Sequence, residues 1–354
     1  MEFASVPPVD AAVVALVENR RRALPVGLLG TLGPVVDRLA GIRGSAHPVA
    51  PNRVRLVVFA ADHAVARRGI SAWPDVDTAR RATEIASTQG PVARLAALAG
   101  VGIRVVDVGV GADLSATAVD LTHRPGGPSG PIDMQDAMSA EVTTAALAAG
   151  RDLADAEVDA GADLLIGAVC GVGVSTPAAV LVSAVTGMEP VDATTRGSGI
   201  DDAAWIRKVA IVRDARYRTT LAGSDVVSLL RTAGGPDLAA LTGFFAQAAV
   251  RRTPVLVDDV PSTLAAVLAH RLAPGADAAV IVASQAPERT HPRLLELLGL
   301  EPVLALSISD GPATAALLAV PLIRAAATLV DDADPAAPVV RSPSAINSWD
   351  SGLL

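Results

Sequence analysis

Cysteine is all but missing from this chain of 354 residues: Cys170 stands alone, which excludes an internal disulfide and any zinc cluster built on thiolates. Aromatic residues make up only 2% of the total. Stacking platforms for bases are therefore not expected, and the interior must be built from Ala, Val and Leu, as where helices pack closely on a parallel sheet. No Lys/Arg-rich run occurs, and the net charge is −8. That argues against nucleic acid and against a polybasic membrane contact as partners. The opening residues, Met1-Glu2-Phe3-Ala4-Ser5-Val6-Pro7-Pro8, lack the basic start and apolar run of a signal peptide, so a cytoplasmic protein is expected. Residues 165–188 carry no charge over a length that could span a bilayer. Four glycines, a proline and several hydroxyls interrupt them, and a buried strand and helix is the better reading.

What is present centres on residues 163–179. The apolar run Leu164-Leu165-Ile166-Gly167-Ala168-Val169 is followed by Gly171, Gly173, Ser175, Thr176 and Pro177. This reads as strand, tight loop and helix N-terminus, which points unpaired backbone N–H groups at an anion. It reads equally as a plain βα turn whose glycines serve geometry only. A second glycine loop, Thr194-Thr195-Arg196-Gly197-Ser198-Gly199-Ile200-Asp201-Asp202, precedes a helix carrying Arg207 and Lys208. The two loops together make a stronger anion signal than either alone. Cys170, in the first of them, reads as small apolar filler in preference to a nucleophile.

Other candidates stand at strand ends, where open α/β sheets bind ligands. Residues 55–61 form a strand ending in Asp62 and His63, read either as a ligand site or as a turn cap and a crevice filler. Trp73 lines a pocket or simply packs. Residues 254–259 form a strand ending in Asp258 and Asp259, with Ser262 and Thr263 at the following helix start. Arg124 lies in the irregular segment 111–138, as solvated surface or as an anion holder.

The remaining pattern predicts helices over 9–24, 34–40, 77–98 with a break at Gly90-Pro91, 140–160 capped by Ser139, from 203 onward, up to 252, and 313–330. Asp77 or Thr78 would cap the third of these. Further strands are expected at 102–110, 278–283 and 303–306, with 284–291 as a loop. Strand, loop and helix recur at least five times, which calls for an α/β fold with a parallel sheet and helices on both faces. The tail from 331 is rich in Asp, Pro and Ser and is expected to be mobile.

The ordered motifs Ala61-Asp62-His63, Ser175-Thr176-Pro177-Ala178-Ala179, Arg196-Gly197-Ser198-Gly199-Ile200-Asp201-Asp202, and Gly234-Gly235-Pro236-Asp237-Leu238 with Thr242-Gly243 carry a family resemblance. With them the chain resembles the nicotinate mononucleotide:5,6-dimethylbenzimidazole phosphoribosyltransferases of cobalamin lower-ligand activation, in their actinobacterial form. The resemblance implies a Rossmann-like large domain over 51–310 and a small helical domain from the chain ends. That small domain would take in helices from 1–50 and a C-terminal helix at 311–330, ahead of the tail at 331–354. It implies a homodimer, small-molecule substrates, no cofactor and no metal. The implied reaction moves ribose 5-phosphate from nicotinate mononucleotide to a benzimidazole nitrogen, giving α-ribazole phosphate and nicotinate. Glu288 falls where the family places its general base. Phosphate and ribose contacts map onto Gly173, Ser175, Thr176, Arg196, Gly197, Ser198, Lys208 and Ser262, and Asp62, His63, Trp73 and Asp258 fall at the base pocket and strand ends.

The chain departs from the family pattern in places. Ala64 follows Asp-His where the family has Gly. Val169 and Val174 replace an acidic residue and an Asn, the base lies in Ala286-Pro287-Glu288-Arg289-Thr290, and a terminal glycine motif becomes Ser309-Asp310-Gly311-Pro312-Ala313-Thr314-Ala315. These losses frame an alternative expectation, a catalytically impaired homologue acting as a binding or partner subunit, for instance in a heteromer with an active paralogue.

Overall fold

The computed structural model describes residues 2–308 and 310–334. Apolar runs of Val, Ile and Leu make five strands: β1 (Val54–Ala61), β2 (Val101–Gly109), β3 (Leu164–Cys170), β4 (Val255–Val257) and β5 (Val280–Val282). They form one sheet in the order β2-β1-β3-β4-β5, with every pairing parallel. Leu56 of β1, for instance, stands in register with Ile103 on one side and Ile166 on the other. Successive strand residues face opposite sides of a sheet, and every residue of β3 is buried, so both faces are covered. The chain runs from β1 to its neighbour β2, then returns to the other side of β1 to form β3. The reversal opens a crevice at the carboxyl ends of β1 and β3.

Thirteen helices are present among the described residues: α1 (Ala11–Arg21), α2 (Leu32–Arg43), α3 (Asp77–Ala86), α4 (Gly90–Leu98), α5 (Ala140–Asp159), α6 (Ser175–Thr186), α7 (Pro190–Ala193), α8 (Asp202–Ala222), α9 (Val226–Ala233), α10 (Pro236–Val250), α11 (Val260–Leu272), α12 (Thr290–Leu298) and α13 (Thr314–Asp331). Helix α10 is buried along all but its last residue. Its approach to α5 depends on missing side chains, since a Cβ on Gly150 would lie 1.8 Å from the Ala240 carbonyl oxygen and one on Gly243 2.1 Å from that of Leu147. Scarce aromatics are concentrated here: Phe59 meets Phe244 edge to face, with centroids 5.6 Å apart.

The chain divides into two compact units. One holds residues 2–8 and Asn52–Pro321 and contains the whole sheet. The other holds Val9–Pro51 and the described residues from Leu322. In that second unit Asp10 caps α1 by accepting from the Ala12 and Val13 amides, and Arg21 pairs with Asp37 at 2.7 Å. The expected tail begins in order, because Asp331 ends α13 and accepts from Arg20 and pairs with His47. Beyond residue 334 that expectation lies outside the described residues.

Several expectations need correction. The uncharged stretch 165–188 is the expected buried strand and helix, β3 and α6, and among the described residues the helix long and apolar enough to cross a membrane by composition is instead α13, whose 18-residue window is half buried. Residues 303–306 contribute only an isolated bridge between Ser284 and Leu304. The loop at 284–291 gives way to α12 from Thr290, where Leu294, Leu295 and Leu298 turn inward. Ser139 caps α5 as expected, accepting from the Val142 amide. Neither Asp77 nor Thr78 caps α3; the N-cap is Val76, and the Thr78 hydroxyl accepts from the Val172 amide instead. Arg124 is neither free nor an anion holder, since it donates to the Val110 and Gly126 carbonyls and pairs with Asp107.

Candidate active site

A cavity of about 460 Å³ opens at the carboxyl ends of the strands, within the range of small-molecule sites. The end of β3 and the loop after it, from Val169 to Ser175, form its floor. The loop after β1 contributes Ile70, Ser71 and Trp73, and the 197–199 loop contributes Gly197, Ser198 and Gly199. Asp258 and Asp259 enter after β4, and Ala286, Glu288 and Thr290 after β5. The site therefore lies at the crevice that the strand order creates.

The anion half is built from α6. No side chain caps this helix; its N-cap is Val174, and Pro177 in the first turn has no N–H to offer. The positive end of its dipole is thus presented to the cavity. Ser175 stands at that end, and behind it Lys208 of α8, fully buried, donates to the Ser175 hydroxyl at 2.8 Å and the Thr195 carbonyl at 3.0 Å. Burial lowers the Lys208 pKa to about 8. Gly197, at φ +51, bridges the two glycine loops: a Cβ there would lie 2.7 Å from the Ser175 hydroxyl and 3.3 Å from the Lys208 ammonium.

The opposite wall is acidic. Burial, with some repulsion from Asp259, raises the carboxyl of Glu288, and its Oε2 is buried without a partner among the described residues. Asp258, fully enclosed and next to Asp259, is pushed up to about 7; it accepts from the Ala316 amide at 3.0 Å, at the start of α13. Asp259 is raised by burial as well, although its bonds to Ser262 oppose the shift. The Glu288 loop is tied down by His291 of α12. The Nδ1 of this buried histidine accepts from the Ala286 amide at 2.9 Å, so in the neutral ring Nε2 carries the proton and donates to the Thr263 hydroxyl at 2.8 Å. Burial lowers the His291 pKa to about 4, so the ring stays neutral at ordinary pH.

Of the residues singled out in the sequence, Trp73, Gly173, Ser175, Gly197, Ser198, Asp258 and Glu288 line this cavity, and Lys208 stands one hydrogen bond behind it. The others are placed elsewhere. Thr176 is fully buried with an unpartnered Oγ1 and is not part of the lining. The Arg196 guanidinium is engaged by Asp202 and the Ile200 carbonyl. Ser262 is spent on a capping box with Asp259 at the start of α11, which its neighbour three residues back makes unavoidable. Asp62 accepts from the Gly111 amide, and His63 is buried between Ser129 at 3.1 Å and Asp237 at 2.9 Å. Neither residue lines the cavity, and the other Asp62 oxygen, Oδ1, is buried without a partner among the described residues. Cys170 lines the cavity, but burial pushes its thiol up to about 12, which suits filler and not a nucleophile.

Three residues escaped sequence reasoning: Arg81, Asp259 as a cap and His291 as the tether of the Glu288 loop. The signal for His291 was its position one turn after the base on a helix with inward leucines. Arg81 is one of two adjacent arginines on α3, and nothing in that pattern says which faces inward. Ser309 of the terminal motif lies outside the described residues, whereas Asp310, Gly311 and Pro312 line the cavity.

Comparison with known proteins agrees with this geometry. A family model described as phosphoribosyltransferase (DBI_PRT) matches residues 6–337. A protein of Mycolicibacterium paratuberculosis named nicotinate-nucleotide–dimethylbenzimidazole phosphoribosyltransferase is 47% identical over 328 residues, covering 92% of this chain and 94% of its own. The Mycobacterium tuberculosis protein of the same name is 45% identical, covering 92% and 90%. The crystal structure of CobT from Thermus thermophilus superposes with a TM-score of 0.86 at 32% identity, over 90% of this chain and 96% of that one.

Proposed function

Since the chain belongs to the DBI_PRT phosphoribosyltransferase family, we propose that it transfers the phosphoribosyl group of nicotinate mononucleotide to dimethylbenzimidazole or a related base. The products would be α-ribazole 5′-phosphate and nicotinate. The observation that carries this reading is the pairing, within one cavity, of a carboxylate whose buried Oε2 has no partner among the described residues with a helix N-terminus that no side chain caps and that a lysine backs.

In this reading the donor phosphate sits against the start of α6, the Ser175 hydroxyl and the Gly197–Ser198 backbone, with Lys208 supplying charge through Ser175. The bond between ribose C1′ and the pyridinium nitrogen breaks, and its electron pair returns to the ring nitrogen. A benzimidazole nitrogen forms the new bond to C1′, and Glu288 takes the N–H proton that the alkylated base then loses. The donor's leaving group is already cationic, so the protein's part is to position, to exclude water and to accept that proton. Asp258 and Trp73 border the space for the flat base. His291 acts through the loop: it fixes Ala286 and so holds Glu288 in place.

Nothing in the comparisons favours the alternative of a catalytically impaired partner subunit, and Trp73, Gly173, Ser175, Gly197, Ser198, Asp258 and Glu288 share one cavity. We further assign the chain to the cytoplasm, to a homodimer, and to the division into a large α/β domain and a small helical domain from both chain ends. The test is direct. Purified protein is incubated with nicotinate mononucleotide and a panel of benzimidazoles and phenols, and products are read by mass spectrometry. Formation of an α-ribosyl phosphate of any panel base is expected; absence of every such product, with an active relative as positive control, would overturn the reading.

A further inference from the structure

Among the described residues lining the cavity, Arg81 of α3 is the one cation. Its guanidinium carbon lies 5.3 Å from the centroid of the Trp73 ring. Its ion-pair partner is Asp310, at 3.5 Å and three-quarters exposed, and no hydrogen bond to a described residue holds it. The adjacent Arg80 makes the contrast. It points to solvent and is bound by both oxygens of Asp77 and by Glu84. The helix thus spends its acids on the outward arginine and leaves the inward one with donors to spare.

The position of Arg81 narrows what those donors meet. Arg81 lines the cavity together with the end of β3 and the loop that follows it. The wall there is apolar, formed by Val169, Cys170 and Val172, while the acids Asp258, Asp259 and Glu288 enter from the β4 and β5 side. A guanidinium lying over a ring keeps its N–H edge free, and that planar fork matches a carboxylate.

This step rests on the proposed function. The donor carries two anions, a phosphate and the carboxylate on its pyridine ring, and Lys208 with the start of α6 provides for the first. We propose that Arg81, steadied by Trp73, recognises the ring carboxylate and so selects a pyridine acid over the corresponding amide. The carboxylate is present before and after the bond to ribose breaks. Arg81 therefore contributes binding common to ground and transition states and acts on KM more than on kcat.

The experiment compares nicotinate mononucleotide with nicotinamide mononucleotide, which keeps the phosphate and replaces the carboxylate by a neutral amide. Both are titrated calorimetrically into the full chain and into Arg81→Met, Arg81→Lys and, as a control on the same helix, Arg80→Met. Arg81→Met should weaken binding of the acid roughly 10–100-fold and leave binding of the amide unchanged. Arg81→Lys should recover part of the loss, and Arg80→Met should match the parent. Equal losses on both mononucleotides would mean that Arg81 holds the phosphate or the fold, and would overturn the assignment, as would no loss on either. Because the readout is binding, it separates from turnover: selective binding without product would sink the transferase reading and leave this one standing, and failure of the parent chain to bind either mononucleotide would sink this one.

Discussion

Replacing Glu288 by Gln tests the proposed chemistry at one atom. The change keeps the volume and removes the proton acceptor; Oε2 has no partner among the described residues, so no hydrogen bond to that oxygen is broken. A positioned general base contributes roughly 10²–10⁴ in rate, which at about 1.4 kcal/mol per decade is roughly 2.7–5.5 kcal/mol of barrier. Stability should move the other way. Burial raises the carboxyl above its ordinary 4.5, so the stability this group contributes is fully present below that value and is lost as pH rises through the folded-state pKa. At pH 8 the Gln variant, which has no charge to bury, should melt no lower than the parent. The parent's rate should also rise with pH as the carboxyl ionises, and the variant should lose that limb. Product formation followed by mass spectrometry across pH, beside thermal melting at pH 8, reads all three. A wild-type rate in the variant would remove Glu288 from the mechanism, and a rate loss accompanied by a lower melting temperature at pH 8 would reduce it to a structural role.

Three further outcomes follow from neighbouring groups. Lys208 sits at about pH 8 because it is buried, and a phosphate brought beside it should raise its pKa again; binding of nicotinate mononucleotide at pH 8 should therefore take up protons. Calorimetry in two buffers of different ionisation heat measures the uptake, which should vanish in Lys208→Met; equal uptake in both proteins would refute the link. Gly197→Ala puts a methyl group 2.7 Å from the Ser175 hydroxyl at a backbone angle that disfavours side chains, so KM for the donor should rise about tenfold or more. An unchanged KM would show that the loop is not against the ligand. Asp258, raised to about 7, contributes stability that is complete below about pH 4 and lost as pH rises through 7. Asp258→Asn, whose amide oxygen can still accept from Ala316, should raise the melting temperature at pH 8 and not at pH 4; the same gain at both pH values would exclude the linkage.

The legible parts of the fold were those in which local and tertiary demands agree. β3 is an uninterrupted apolar run buried throughout, β1 is apolar and buried but for Arg55, and Ser139 stands in the N-cap position of α5. Apolar runs do not say where a ladder stops, and so β4 and β5 came out shorter than their sequences suggest. Helix α12 was hidden by Pro287 and Pro292, although the spacing of Leu294 and Leu298 carried its signal. In the site, the two glycine loops and Glu288 could be placed because their geometry or their register is distinctive. Arg196 and Ser262 could not, because each has an acid close in sequence, Asp202 and Asp259, and a sequence does not rank a local partner against a ligand. His63 presents the same problem at long range, since its partner Asp237 is 174 residues away.

The departures from the family pattern can now be sorted by what they change. Val174 is the N-cap of α6 and contributes no side-chain bond, yet the helix N-terminus is a property of the main chain and survives any side chain there. Replacement of Asn by Val at this point therefore removes one possible contact from the phosphate end and leaves its field intact. Val169 is different, because it lines the same cavity as Arg81. Arg81 has Asp310 as its ion-pair partner at 3.5 Å, and the apolar Val169 adds no second acid to the lining at the end of β3. On the proposed function, a substitution weighs less where backbone provides the binding than where side chains do, so Val174 bears on the sugar phosphate less than Val169 bears on the ring.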